Sequence, residues 1–137
     1  DDAGQHYMLS AMLAYTSGRG NSVGEAVRYL RRSALADGTH PNGTVYFVHN
    51  ADIRSAKRHD RFPAAVRQLK QLGVKAEVLK GIVPHGKHDV QGAVTGKADL
   101  KWQQSGNTIL PGAICENFTS FGGVGPAMIY LADQHLD

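Results

Sequence analysis

Thr44-Val45-Tyr46-Phe47-Val48-His49 is an unbroken run of β-branched and aromatic residues. A run of this kind, too short for a helix, suits a strand buried on both faces of a sheet. Turn signals precede it, at Asp37-Gly38 and Pro41-Asn42-Gly43. A polar, basic connection follows from Asn50 to Arg61, and then a helix entered at Pro63, a residue suited to a first turn. Phe62, Val66, Leu69 and Leu72 make the apolar face of that helix, and Gly73 is placed to cap its end. Val74-Lys75-Ala76-Glu77-Val78-Leu79 alternates and reads as a second strand, nearer an edge. Strand, helix and strand in this order predict a parallel pair joined by a right-handed crossover.

The same alternation extends in both directions. Upstream, the apolar run Tyr7 to Ala14 reads as a strand. It leads through Tyr15-Thr16-Ser17-Gly18-Arg19-Gly20-Asn21-Ser22 into a helix over Val23 to Leu35. Ser22 and Glu25 have the spacing of a capping box, and Val23, Ala26, Val27, Leu30 and Ala34 share one face. Downstream, a short helix is expected from Lys87 to about Thr95, weakened by Gly92 and Gly96. Lys101 to Asn107 reads as a polar loop around Trp102. Thr108 to Cys115 is a fourth apolar segment, broken at Pro111-Gly112. A second glycine-rich loop, Thr119 to Gly125, precedes a last helix over Pro126 to Leu136. Ligands of parallel sheets sit beyond the carboxyl ends of the strands, so loops 15–22, 49–61, 80–88 and 115–125 carry the candidate sites.

The bulk properties bound the function. A chain of 137 residues with 42% hydrophobic and 20% charged residues reads as one soluble domain with an ordinary core. Its apolar runs are too short to span a membrane. Asp1-Asp2-Ala3-Gly4 has neither a basic start nor an apolar core, so the chain is intracellular or lacks upstream sequence. A net charge of +3 is too small to imply nucleic acid without a concentrated patch. The basic run Arg54, Lys57, Arg58, His59 and Arg61 lacks interleaved aromatics and reads as a solvated surface. The single cysteine, Cys115, excludes an internal disulfide.

Three constellations could carry chemistry. Gly18, Gly20 and Gly24 form G-x-G-x-x-x-G, one residue longer than the dinucleotide fingerprint. The second strand ends on His49-Asn50 rather than on an acid for a ribose, and no Gly-Lys-Ser/Thr follows. The loop therefore predicts a site for a small anionic or polar ligand, formed by Ser17, Gly18, Arg19, Gly20 and Asn21. Asn117, Thr119 and Ser120 would stand opposite, because polar groups crowd beside glycines at that strand exit. His85, His88 and Asp89, with His49 or His59, offer a partial zinc set that lacks a fourth ligand at a defined spacing, so no metal is assigned. No cofactor is assigned either.

The third constellation is His85-Gly86 with Cys115, a base and a thiol that both follow strand candidates. Their chain order is similar to that of caspase-like and gingipain-like cysteine peptidases. The resemblance implies Cys115 as nucleophile and His85 as base.

A broader likeness rests on Tyr15-Thr16-Ser17-Gly18-Arg19-Gly20-Asn21-Ser22 and on Pro111-Gly112-Ala113-Ile114-Cys115-Glu116-Asn117-Phe118-Thr119-Ser120-Phe121-Gly122-Gly123. With Thr44 to Val48 and Leu72 to Glu77, these stretches resemble a family of uncharacterised bacterial proteins. The resemblance implies an extracytoplasmic location and a central fragment of a larger protein, with no catalytic residues to carry over. The expected architecture is a single α/β domain over residues 1–137, a three-layer sandwich with about four mostly parallel strands, Rossmann-like or caspase-like. A ligand-binding or scaffold domain, a Cys115–His85 hydrolase and a self-assembling structural protein are the competing functions. The last follows from the open sheet edge of a truncated domain, which a second copy could cover.

Overall fold

A computed structural model describes residues 22–98 and 100–118. The loop at 15–22 up to Asn21, the strand expected over residues 7–14, the loop from Thr119 and the last expected helix lie outside the described residues.

Helix α1, Val23–Ala36, starts as its sequence requires. The Ser22 hydroxyl oxygen accepts the Glu25 N–H at 3.2 Å, and the Glu25 carboxylate accepts the Ser22 N–H at 2.6 Å. Strand β1, Thr44–His49, is followed by two helices, α2, Ile53–His59, and α3, Phe62–Gln71. The connection expected to be irregular thus contains α2. Asn50 causes this: its side-chain oxygen takes the Asp52 N–H at 2.8 Å and turns the chain into a helix. Gly73, at φ 77°, ends α3 as expected.

Strand β2, Lys75–Lys80, lies at one edge of a four-stranded sheet of order β2-β1-β3-β4. All three pairings are parallel, so the chain is an α/β fold. Strand β3, Val90–Thr95, occupies most of the segment expected to be helical. Pairing with β1 decides for strand, and Gly92 sits closely between Val45 and Ile114. An added Cβ would stand 3.2 Å from the Val45 side chain and from the Ile114 carbonyl oxygen. A 3-10 helix, Trp102–Ser105, forms where a polar loop was expected. It buries the Trp102 ring to 1% exposure.

Strand β4, Ile109–Asn117, runs through Pro111-Gly112 without ending. The register moves from Val90 opposite Ile109 to Gly92 opposite Ile114, so the interruption read from the sequence is a bulge inside one strand. Gly112 supplies the left-handed turn of that bulge at φ 80°.

Two clusters form the core on alternate strand residues. Phe47, Ala76, Val45 and Val94 pack on Phe62, Ala65, Val66 and Leu69 of α3, with the Phe47 and Phe62 rings 5.2 Å apart. Tyr46, Val90, Ala93 and Ile109 pack on Val83, Leu100 and Trp102. On this second face the cover comes from the β2–β3 and β3–β4 connections, and no helix lies between β2 and β3. Leu72, expected in the α3 face, is exposed.

Candidate functional site

β1 and β3 are neighbours, and their chain continuations diverge. β1 leads to β2 on one side, whereas β3 leads to β4 on the other. This is the switch point at which parallel sheets open a crevice beyond their carboxyl ends.

Several side chains meet there. Asn50 follows β1 directly, and its Oδ1 accepts both the Asp52 N–H at 2.8 Å and the Ser55 hydroxyl at 3.0 Å. A backbone N–H can only donate, so the amide orientation is fixed and Nδ2 faces away. Nδ2 is buried and has no partner. Ser55 is nearly fully buried and presses on Gly96, where an added Cβ would lie 2.1 Å from the Ser55 Cβ. α2 therefore sits directly against the end of β3.

His59, at the end of α2, is 5% exposed, and its Nε2 is also buried without a partner. Its ring packs on His49 at 4.2 Å and on Phe62 at 5.1 Å. Burial lowers its pKa from the ordinary value, His49 adds to that lowering, and Asp60 opposes it. The neutral imidazole is thus favoured. Asp52 is buried, and the Lys97 amine lies 4.0 Å from its carboxylate. The Asn117 amide locks the Lys97 backbone in both directions, accepting its N–H and donating to its carbonyl, each at 3.1 Å. Arg58 lies over the Phe118 ring at 3.9 Å, and the Phe118 N–H donates to Thr95.

Of the residues expected to bind ligand, Asn117 stands at this edge. Its amide accepts from and donates to the Lys97 backbone. Ser17, Gly18, Arg19, Gly20, Asn21, Thr119 and Ser120 lie outside the described residues. Asn50, Asp52, Ser55 and Lys97 were not singled out from the sequence. The signal for the first two was Asn-x-Asp at a strand exit, a turn-forming pattern.

The thiol and imidazole of the expected dyad have different surroundings. Cys115 lies inside β4, opposite Ala93, and packs against the Trp102 cluster. Burial pushes its pKa up to about 11, against a weak lowering by a hydrogen bond with the Ala93 backbone. His85 is exposed on the β2–β3 connection, between Pro84, whose carbonyl accepts from the Asn107 amide, and Gly86, whose N–H donates to the Ser105 carbonyl. Among the described residues no hydrogen bond joins the two side chains. A thiol whose pKa is raised in this way is mostly protonated at neutral pH, which weakens it as a nucleophile.

The partial zinc set is dispersed. The Asp89 carboxylate accepts the Thr44 and Tyr46 hydroxyls, each at 2.7 Å, and His88 Nδ1 contacts the Thr108 hydroxyl at 3.2 Å. Those hydroxyls hold the Asp89 pKa below its ordinary value. Among the described residues no three metal-ligating side chains come together. No helix among them is long and apolar enough to cross a membrane.

Compared with known proteins, the chain matches no family model, no curated sequence and no solved structure.

Proposed function

We propose that this chain is a ligand-binding α/β domain whose site lies at the carboxyl edge of β1 and β3 and takes a small anionic or polar molecule. The observation that carries this reading is the pair of buried, unpartnered side-chain nitrogens, Asn50 Nδ2 and His59 Nε2. A buried polar group without a partner costs about 1–3 kcal/mol, and a bound ligand that hydrogen-bonds to it recovers part of that cost. At the same edge Lys97 faces the Asp52 carboxylate at 4.0 Å, and Arg58, over the Phe118 ring, adds a positive charge. That charge favours an anion over a cation.

The test is a titration with inorganic phosphate and with acetate, followed through the imidazole NMR signals of His49 and His59. Saturable shifts in the wild type, reduced in Lys97→Gln and Arg58→Gln, are expected. Shifts that do not saturate, or that are unchanged in both variants, overturn the reading.

Self-assembly has one observation in its favour. Val23, Val27 and Leu30, the apolar stripe expected to face the core, are 68%, 42% and 41% exposed among the described residues. Sedimentation of the wild type against Val27→Glu tests it. A monomer in both cases excludes assembly through this face.

A further inference from the structure

A second cleft lies far from the β1 exit, between the last turns of α1 and the bulged first half of β4. Its volume is about 740 Å³, within the roughly 300–1,000 Å³ of small-molecule sites. Gly112 creates it. Any side chain at that position would meet Ala36, whose Cβ would be 3.1 Å from the added atom. The glycine lets the end of α1 approach β4.

The walls are mostly apolar, formed by Leu35, Ala36, Ile109, Leu110 and Ala113. One cation stands among them. Arg32 lines the cleft, and its Nη2 is buried without an acceptor. A guanidinium offers five donors and no acceptor, so a buried nitrogen of this kind lacks an oxygen. Gln91 adds a second donor. Its Oε1 is taken by the Gly43 N–H at 2.9 Å, which leaves the amide NH2 for a ligand. Asp37, the acid in the lining, is exposed at the end of α1, and among the described residues no ion pair joins it to Arg32.

We propose that this cleft binds a small amphipathic carboxylate, its apolar body along the Leu35 and Leu110 walls and its carboxylate on Arg32. The planar fork of arginine matches a carboxylate through two parallel hydrogen bonds. The apolar walls exclude a bare inorganic anion as the preferred ligand, because such an ion leaves them in water. The site is separate from the β1 exit and does not depend on it.

Calorimetric titration with octanoate and with octanol, a neutral probe of the same length, tests the proposal on the whole chain. Octanoate is expected to bind at least about tenfold more tightly than octanol, the effect of one charge-assisted contact. Arg32→Gln is expected to abolish that preference. Leu35→Asp alters an exposed side chain, so the fold is retained, and it is expected to weaken octanoate at least about tenfold through repulsion and a lost apolar wall. Circular dichroism checks folding, and should Arg32→Gln unfold, Leu35→Asp decides. Equal binding of the two probes, no octanoate binding, or unchanged affinity in Leu35→Asp overturns the proposal.

Discussion

The imidazole of His59 packs on that of His49 with 4.2 Å between ring centroids, and it does so while almost fully buried. Two groups that can both acquire positive charge are therefore held in contact at the end of β1 and α2. Burial and the neighbouring ring each disfavour the charged form of His59.

The first prediction concerns pH. The folded-state pKa of His59 lies below its ordinary 6.5. Above 6.5 both folded and unfolded chains carry the neutral ring, and its contribution is constant. As pH falls from 6.5 toward the lowered value, only the unfolded chain takes up the proton, and stability declines. Melting temperatures between pH 7.5 and 5 are expected to fall in the wild type and to fall less in His59→Phe. Phenylalanine keeps the ring contacts and cannot titrate. Parallel curves for the two proteins refute the assignment.

Asp89 gives a second pH-dependent element, at the opposite end of the sheet. Its carboxylate accepts the hydroxyls of Thr44 and Tyr46, which lower its pKa below the ordinary 3.8. Stability from this group is complete above that ordinary value and is lost as pH falls through the lowered one. Asp89→Asn replaces one acceptor oxygen by a donor, and is expected to cost about 1.5–3 kcal/mol at neutral pH. Urea unfolding measures it, and a loss under about 0.5 kcal/mol counts against a structural role for these bonds.

The phenol of Tyr46 is the partner of that carboxylate. Burial first, and then the bond to Asp89, raise its pKa to about 12. Between the ordinary value of 10.0 and that raised one, the unfolded chain loses a proton that the folded chain keeps, so stability declines with rising pH. In an alkaline spectrophotometric titration one of the five tyrosines is expected to ionise last, and Tyr46→Phe is expected to remove that late step. A late step that survives in the variant belongs to another tyrosine.

Glycine substitutions separate close packing from mere flexibility. Gly96→Ala puts a methyl 2.1 Å from Ser55 Cβ and 2.7 Å from its hydroxyl, so α2 has to move away from β3. The expected loss is about 1–3 kcal/mol. Gly24→Ala, in the first turn of α1, meets nothing closer than 3.8 Å, and is expected to be neutral or to stabilise by about 0.5–1 kcal/mol. Thermal melts of the two variants check the contrast, and equal effects refute it.

Cys115 is expected to behave as a core residue. With its thiol pushed up to about 11, alkylation of the folded chain at pH 8 is expected to be much slower than that of the urea-unfolded chain. His85→Ala is expected to leave that rate unchanged. A clear slowing in the variant would support a Cys115–His85 dyad.

Much of the fold was legible in the sequence because local chemistry agreed with tertiary demands. The Thr44–His49 run, the Ser22 and Glu25 cap, the Phe62, Val66 and Leu69 stripe and the Gly73 stop all appear where their residue types place them. The misreadings fall where a pattern had two physical solutions. The Val90–Thr95 stretch is short enough for either helix or strand, and its closeness to Val45 and Ile114 decides for strand. Pro111-Gly112 signals a break, yet β3 keeps pairing with β4 on both sides of it.

Sequence alone determined that this chain is an α/β fold and that its strands pair in parallel, because the strand–helix–strand pattern from Thr44 to Leu79 and crossover handedness follow from residue type. The partners of its polar groups were decided only by tertiary structure. Asn50, His59 and Arg32 are ordinary polar residues in the chain, and whether each is solvated, paired or buried with an unfilled hydrogen bond depends on what the sheet order brings beside it. Hydrogen bonding is directional and short-ranged, so it is settled by ångström-scale placement that no one-dimensional pattern contains.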